Sequence, residues 1–487
     1  MAVVVPRAWL TAKDKEYIKE QLTVSSNTDP VVILKPFQVV KDPNSDDVNN
    51  GTVRLPFAFY RELREYGEHK EWPEFPNDAK HTERFNPEWQ FTGELRDYQQ
   101  SAWKDEILPM LKGRRSGLLG AHTGWGKTAT ASFIASRTQL VTLILYHIGP
   151  LGRSWPETFS QFTTAVVCHI GKEAFNPAAH VYICTVGMAL SDNFPLDPAK
   201  VGLLVIDEAH CFMSPQRVFS YLRFEPKYVL DLTATPDRAD GMGKMLGLFH
   251  GRLKLGEDRR PLPGQVPCEV IRVSKRAFTV YKQKTGMKPK IVTNQRGLDW
   301  GEVKKSLITR PALVNLICDW VMMNPHKKIL VHTVQIDQME AVAAELRTRG
   351  ETSVSTFHGN MSTYNECRVL VAIDKKVSLG YDDKNTCANY GGRRLDMLIM
   401  GFTIKDKGAT EQLVGRMRGE NGIVIDLIHA FSSFEKHWKL RSEWYLSHGG
   451  KVIEVTGPIR LPGDDVSVTT AAAPVSVTKK PKITIKF

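Results

Sequence analysis

The sequence predicts an α/β protein: two doubly wound parallel sheets in tandem, preceded by a small N-terminal unit and followed by a basic tail. Three observations carry that prediction. The apolar run Gly117 to Gly120 leads into Ala121-His122-Thr123-Gly124-Trp125-Gly126-Lys127-Thr128 and then a helix-like stretch from Ala129, a strand–loop–helix order. A second apolar run, Val201-Gly202-Leu203-Leu204-Val205-Ile206, ends in Asp207-Glu208-Ala209-His210, which reads as a buried parallel strand delivering carboxylates to a sheet edge. From about residue 91 onward, short apolar segments alternate with polar or helical ones, the rhythm of repeated βα units.

Taken in order, residues 1–90 form an N-terminal accessory unit. Val31 to Leu34 and Thr52 to Pro56 read as strands around the turn-rich stretch Lys41 to Gly51, and Pro73, Pro76 and Pro87 punctuate a polar connector. The unit either grips duplex nucleic acid or serves as a packing extension. Residues 91–254 make the first α/β domain, with strands at Leu140 to Tyr146, Val181 to Cys184, Val201 to Ile206 and Tyr228 to Leu232. Residues 255–300 are rich in Pro, Gly and Lys and read as an inter-domain connection with a strand at Val266 to Val273. Residues 301–456 make the second α/β domain. Its strands are Ile329 to Val331, Val369 to Ile373, Met397 to Met400 and Ile423 to Leu427, with a helix at Gln338 to Arg349. Residues 457–487 form a flexible tail, poor in apolar bulk and carrying Lys479, Lys480, Lys482 and Lys486.

Composition narrows the class. A chain of 487 residues is too long for one ordinary domain, and 42% hydrophobic with 24% charged residues is a globular balance. No apolar stretch reaches membrane-spanning length, and Met1 to Leu10 lacks a secretion-signal core. The seven cysteines show no C-x-x-C pairing and most lie in apolar runs, so buried thiols in a reducing, intracellular setting are expected. A formal charge of +12 favours a polyanionic partner.

The chemistry follows from the residue types. Gly124 and Gly126 let the loop backbone curl so that N–H groups face an anion, helped by the N-terminus of the helix that follows. Lys127 reaches β- and γ-phosphates, and Thr128 offers a hydroxyl to Mg²⁺. Asp207 holds the same Mg²⁺, and Glu208 orients and deprotonates an attacking water. Taken alone, Asp207 and Glu208 also suit an acidic helix N-terminus after a strand.

The order of these motifs, followed by Thr233-Ala234-Thr235-Pro236 and Gln412-Leu413-Val414-Gly415-Arg416, resembles that of superfamily 2 helicases and translocases. Leu95-Arg96-Asp97-Tyr98-Gln99 resembles the family's upstream glutamine motif. Phe357-His358-Gly359, Val369 to Ala372 and Gly380-Tyr381-Asp382 resemble motifs of the second motor domain. Thr235 to Gly241 and Arg441 to Tyr445 look most like the viral branch, which includes phage UvsW-type DNA helicases and the transcript-release helicases of large DNA viruses.

The resemblance implies two RecA-like motor domains and an ATP- and Mg²⁺-dependent nucleic-acid motor, inside the host cytoplasm or virion if viral. It implies ATP contacts from Gln99 (to adenine), Thr123, Gly124, Trp125, Gly126, Lys127, Thr128, Gly380 and Asp382. Gln412 joins Lys127, Asp207 and Glu208 in the catalytic set, and either Arg416 or Arg418 serves as an arginine finger. Gly419 holds the position where the family usually has its second arginine, so the finger is open between those two. His210, Thr233 and Thr235 would couple the nucleotide site to the second domain. Arg153, Trp155, Thr185 and His358 would touch nucleic acid, although a lone Trp or His is more often packed than stacked on a base. Ile373 and Gly187 replace a Thr and a Gln common in relatives, which shifts strand contacts toward neighbours such as Lys375 and Lys376. The basic tail would tether nucleic acid or a protein partner.

Three functions compete. One is a helicase that separates strands, DNA favoured over RNA or hybrid. Another is a duplex translocase that releases transcripts or RNA polymerase without processive unwinding, and a third is a scaffold on an inactive motor fold. Lys127, Thr128, Asp207, Glu208 and Arg416 together argue against the scaffold.

Overall fold

A computed structural model describes residues 2–42, 50–85, 88–147, 152, 154–236, 238, 240–251, 264–273, 276–294, 297–359, 361–377, 381, 383–405, 407–417 and 421–462. The N-terminal part is a three-stranded antiparallel sheet of β1 (Ala2–Pro6), β2 (Gln38–Val40) and β3 (Thr52–Pro56), with β3 central, followed by α1 (Phe57–Tyr66).

The first lobe is built on a seven-stranded parallel sheet: β4 (Ser116–Ala121), β5 (Thr142–Tyr146), β6 (Val167–His169), β7 (Val181–Thr185), β8 (Leu203–Asp207), β9 (Tyr228–Thr233) and β10 (Glu269–Arg272). Their spatial order is β10-β4-β9-β8-β5-β7-β6. Helix α2 (Lys127–Thr138) carries the chain from β4 to β5 over positions that β8 and β9 later fill. The order therefore reverses beside β4, the place where open α/β sheets leave a crevice for ligands. Small residues on α2, among them Thr130, Ala131, Ser132 and Ala135, are buried, which lets the helix lie close on the sheet.

The second lobe repeats the plan with β11 (Phe278–Lys284), β12 (Ile329–Thr333), β13 (Val354–Phe357), β14 (Val369–Ile373), β15 (Met397–Met400), β16 (Gly422–Ile428) and β17 (Gly450–Val455). The order is β13-β14-β12-β15-β16-β11-β17, all parallel. Helix α5 (Lys407–Val414) precedes β16, and α6 (Ser432–Ser447) links β16 to β17; in the first lobe, α3 (Ser154–Phe162) and α4 (Met245–His250) complete the helices used below. Two RecA-like sheets in tandem are therefore the fold, as the motif order implied.

Three boundaries differ from the sequence expectation. Residues 255–300 are not a free connection: β10 extends the first sheet and β11 lies inside the second, between β16 and β17. The alternating Phe278-Thr279-Val280-Tyr281 pattern is too short and too polar to announce a central strand, so it was masked by its Lys-rich flanks. Residues 1–90 do not form a separate core. Ala2, Val53, Phe57, Phe59, Tyr60 and Leu63 share one buried cluster with Leu204, Tyr221, Leu246 and Phe249 of the first lobe. Hydrogen bonds seal the join, from the Ala2 backbone N–H to Phe224 O at 2.9 Å and from the side-chain Asn77 Nδ2 to both Ala2 O and Pro226 O at 3.1 Å. The tail also begins later than 457. Leu461 is buried, its N–H donates to Asn324 Oδ1 at 3.0 Å, and Lys327 Nζ donates to Pro462 O at 2.9 Å. The lysines of the tail, residues 479–486, lie outside the described residues.

Smaller differences are end effects. The helix expected at Gln338 to Arg349 is Ile336–Thr348, the helix after the phosphate loop starts at Lys127, and the first predicted strand shrinks to Ile33–Leu34. All seven cysteines are free thiols, six of them buried. Among the described residues no helix is long and apolar enough to cross a membrane.

Candidate active site

The loop between β4 and α2 turns on two glycines in the left-handed region, Gly124 at φ 86° and Gly126 at φ 98°. At Gly126 a Cβ would also stand 2.5 Å from Gln99 Nε2, so a side chain there would be strained in backbone and would displace the Gln99 amide. Gln99 is buried and turned onto the loop. Its amide N–H donates to Gly126 O at 3.2 Å and to Thr130 Oγ1 at 2.9 Å, while its Oε1 accepts from Arg96 N–H at 3.0 Å. Tyr98 Oη donates to Trp125 O at 2.9 Å. Trp125 is buried in the first lobe's core against Tyr98, ring centroids 5.5 Å apart, which explains the bulky residue in the loop. Lys127 Nζ donates to Ala121 O at 2.6 Å, and Thr128 sits half-buried in the first turn of α2.

The carboxylates arrive one strand further along. β9 separates β4 from β8, so Asp207 at the end of β8 and Thr233 at the end of β9 line the same edge as the loop. Asp207 is buried and accepts the Trp155 indole N–H at 3.0 Å. Burial and then the neighbouring Glu208 raise its pKa well above the usual carboxylate range, opposed by Trp155 and Lys127. Glu208 takes the left-handed conformation at φ 53°, rare for a non-glycine residue, and its Oε2 is buried without a hydrogen-bond partner. His210 Nδ1 stands 3.4 Å from that oxygen and also bonds Thr233 Oγ1 at 2.8 Å. Thr233 Oγ1 also accepts Thr235 N–H at 3.0 Å. The three residues expected to couple the site, His210, Thr233 and Thr235, thus form one bonded chain.

The second lobe reaches this edge through the end of α5. A Cβ at Gly415 would lie 2.8 Å from Thr123 Cβ across the cleft and 2.8 Å from Glu411 O on its own lobe, so a side chain there would push one of them aside. Gln412 is buried one turn earlier. Arg416 donates from Nε to Val377 O at 3.0 Å and from Nη1 to Tyr381 O at 2.5 Å, held on its own lobe. Two residues that sequence reasoning passed over complete the contact. Arg276 donates from Nη2 to Thr123 O at 2.9 Å and from Nη1 to Met417 O at 2.8 Å, spanning the lobes. Glu411 is buried in the cleft, and its pKa is pushed up to about 7 by burial and by Glu208, against the pull of Lys127, Trp444 and Arg276. Neither carries a sequence signal: Arg276 is one of several basic residues in a polar stretch, and Glu411 is one of many helix acids.

Of the other nominated residues, Arg153, Gly380, Asp382 and Arg418 lie outside the described residues. Trp155 is corrected: it is fully buried, cannot stack on a base, and serves Asp207 instead. Thr185 ends β7 and caps the next turn, its Oγ1 accepting Met188 N–H at 3.2 Å, and His358 follows β13 half-buried. Ile373 ends β14, and Lys376 Nζ donates to Met361 O at 2.7 Å.

Residues 92–238 match the family model described as Type III restriction enzyme, res subunit. The chain is similar to a protein of Invertebrate iridescent virus 6 named as helicase 161L, 26% identical over 397 residues that cover 74% of this chain and 83% of the relative. It is similar to L396 of Acanthamoeba polyphaga mimivirus, named as an ATP-dependent RNA helicase, at 24% identity over 371 residues, 73% of this chain and 68% of the relative. A shorter match, 29% over 177 residues, joins it to the DNA 3'-5' translocase XPB2 of Sulfurisphaera tokodaii, covering 35% of this chain and 38% of the relative. With its phosphate loop and carboxylates on one sheet edge and a second parallel sheet closing over them, the chain is similar to the superfamily 2 helicases of large DNA viruses, a family of ATP-using nucleic-acid motors.

Proposed function

We propose that the protein hydrolyses ATP between its two lobes and uses their closure to move along DNA and separate its strands. The observation that carries this reading is the contact of Gly415, at the end of α5, with Thr123 of the phosphate loop. A site assembled from both lobes makes hydrolysis depend on their relative position, and that dependence is what converts chemistry into movement.

Lys127 and the loop N–H groups bind the phosphates, with Lys127 exchanging the Ala121 carbonyl for phosphate oxygen. Glu208 takes the proton from the attacking water, since its buried Oε2 accepts no hydrogen bond. Thr128 and Asp207 are the residues that would hold Mg²⁺. The donor set fits a hard cation, because burial and the adjacent Glu208 carboxylate push the Asp207 pKa up to about 7, a cost that a bound cation would offset. When bound, Mg²⁺ neutralises charge on the phosphates. Arg416 supplies the guanidinium that offsets charge developing in phosphoryl transfer, brought in when its lobe closes. Gln412, one turn before Gly415, joins this lobe's side of the catalytic set. Thr185 and His358, on the two sheets away from the phosphate loop, remain the candidates for strand contact.

The test is ATP turnover measured across single-stranded, duplex, forked and RNA–DNA hybrid polynucleotides, with Glu208→Gln as the inactive control. DNA is expected to stimulate turnover more than RNA, and Glu208→Gln to lower kcat by on the order of 10²–10⁴ while retaining polynucleotide binding. Parental turnover in Glu208→Gln would show the base to be misassigned, and stimulation by RNA alone would reverse the substrate. Stimulation by flush duplex without strand displacement would favour the translocase reading.

A further inference from the structure

We propose that Arg276 is a positioning residue that presets the phosphate loop for ATP only while the second lobe is seated. The inference rests on the reading of residues 121–128 as the phosphate site.

Arg276 stands just before β11, where the chain enters the second sheet, and its backbone N–H donates to His448 O at 3.1 Å. Its base is therefore fixed to the second lobe. Its guanidinium reaches back to the first lobe and donates from Nη2 to Thr123 O at 2.9 Å. The companion nitrogen Nη1 donates at 2.8 Å to Met417 O, three residues past the end of α5 and one past Arg416. One planar fork thus measures the gap between the phosphate loop and the segment carrying the candidate finger.

The Thr123 carbonyl is not an indifferent acceptor. It belongs to the same peptide plane as the Gly124 N–H, and in a trans peptide the two point in opposite directions. A cation anchored on the carbonyl edge fixes the direction of the N–H on the other edge and polarises the amide, making it a stronger donor. Gly124 has nothing within 4 Å of the place a Cβ would occupy and sits at φ 86°, so its own packing does not hold this plane. Arg276 supplies the inter-lobe restraint, added to the first lobe's own His122 Nδ1, which lies 3.0 Å from the same oxygen. The facing groups are consistent with a cation here: Glu411 lies in the same cleft and its carboxyl feels both Lys127 and Arg276, while burial lowers the pKa of His122, beside Thr123, against its bond to Thr123 O and with a smaller push from Arg276.

A lysine cannot reproduce the fork, because a single ammonium does not bridge two carbonyls with the geometry of a guanidinium. The experiment compares Arg276→Lys and Arg276→Ala with the parental chain and with Lys127→Ala. It measures ATP KM and kcat with saturating polynucleotide, polynucleotide affinity without nucleotide, and the thermal midpoint. Both Arg276 variants are expected to raise ATP KM about tenfold, with kcat changing less and with polynucleotide affinity and midpoint kept. Lys should fail to rescue. An unchanged KM in Arg276→Lys overturns the proposal, as does a KM rise that appears only together with a lowered midpoint in both variants, which is a scaffold role. Absence of turnover in the parental chain would sink the reading of the site itself, whereas parental turnover abolished by Lys127→Ala but indifferent to Arg276→Lys sinks the role of Arg276 alone.

Discussion

One proton on Asp207 is set by burial and three neighbours: burial and Glu208 push its pKa up, while the Trp155 indole and Lys127 pull it down. Trp155→Phe keeps the ring's bulk in the core and deletes only the N–H donated to Asp207. That donor favours the ionised carboxylate, so its loss raises the pKa further. The acid limb of kcat/KM against pH reports groups of the free enzyme, and it should move to higher pH by about one to two units, the worth of a hydrogen bond to a charged group. Stability runs with the same sign. A carboxyl raised in the folded state holds a proton the unfolded chain has released, so its contribution is present below about pH 4 and is lost as pH rises through the folded value. An acid limb that stays in place in a normally folded Phe variant would remove Trp155 from the site. Lys127, Thr128, Asp207 and Glu208 were legible because each motif is a few consecutive residues whose spacing is itself the chemistry. Trp155, Arg276 and Glu411 were not, since what they do depends on which distant segment the fold lays against them.

At the level of elements, strands whose apolar runs are continuous were readable almost to their ends, as at Val369–Ile373 and Met397–Met400. β11 was hidden because it alternates, and β13 and β17 because edge strands carry polar residues outward. The segment Arg441 to Tyr445, singled out by resemblance, proves to be the pin between α6 and β16. Arg441 and Asp426 are both fully buried, joined through Nε at 2.9 Å and Nη2 at 2.8 Å, with Tyr445 Oη donating to the same carboxylate at 2.9 Å and Arg441 Nη1 donating to Thr403 Oγ1 at 2.7 Å. Arg441→Ala leaves a carboxylate uncompensated inside the second lobe. A loss of about 3–5 kcal/mol is expected in denaturant unfolding. Arg441→Ala combined with Asp426→Ala should recover part of it, because the unpaired charge is then gone. A double variant no more stable than the single one would mean that packing, not the buried pair, holds α6 down.

For the molecule as a whole, motif order gave the tandem sheets and the cleft, but not how the N-terminal ninety or so residues attach, because a shared core leaves no periodic signature in either partner. The attachment has a consequence for truncation. α1 turns Phe57, Phe59, Tyr60 and Leu63 toward a cluster that also holds Leu246, Phe249 and Met245 of α4 and Tyr221 near β9. Burying a large apolar side chain is worth about 1.5–3 kcal/mol, so four of them amount to about 6–12 kcal/mol, comparable with the whole stability of a domain. Removing residues 1–80 should therefore not yield a trimmed motor. It should expose α4 and unfold the sheet that carries Lys127 and Asp207, seen as loss of the thermal transition, early proteolysis within the first lobe and loss of ATP binding. An independent grip domain would behave oppositely, leaving ATP binding and the midpoint at parental values while polynucleotide affinity falls. That second pattern would mean the buried join at Ala2, Asn77 and Phe224 contributes little, and that the N-terminal residues serve the nucleic acid rather than the motor's own core.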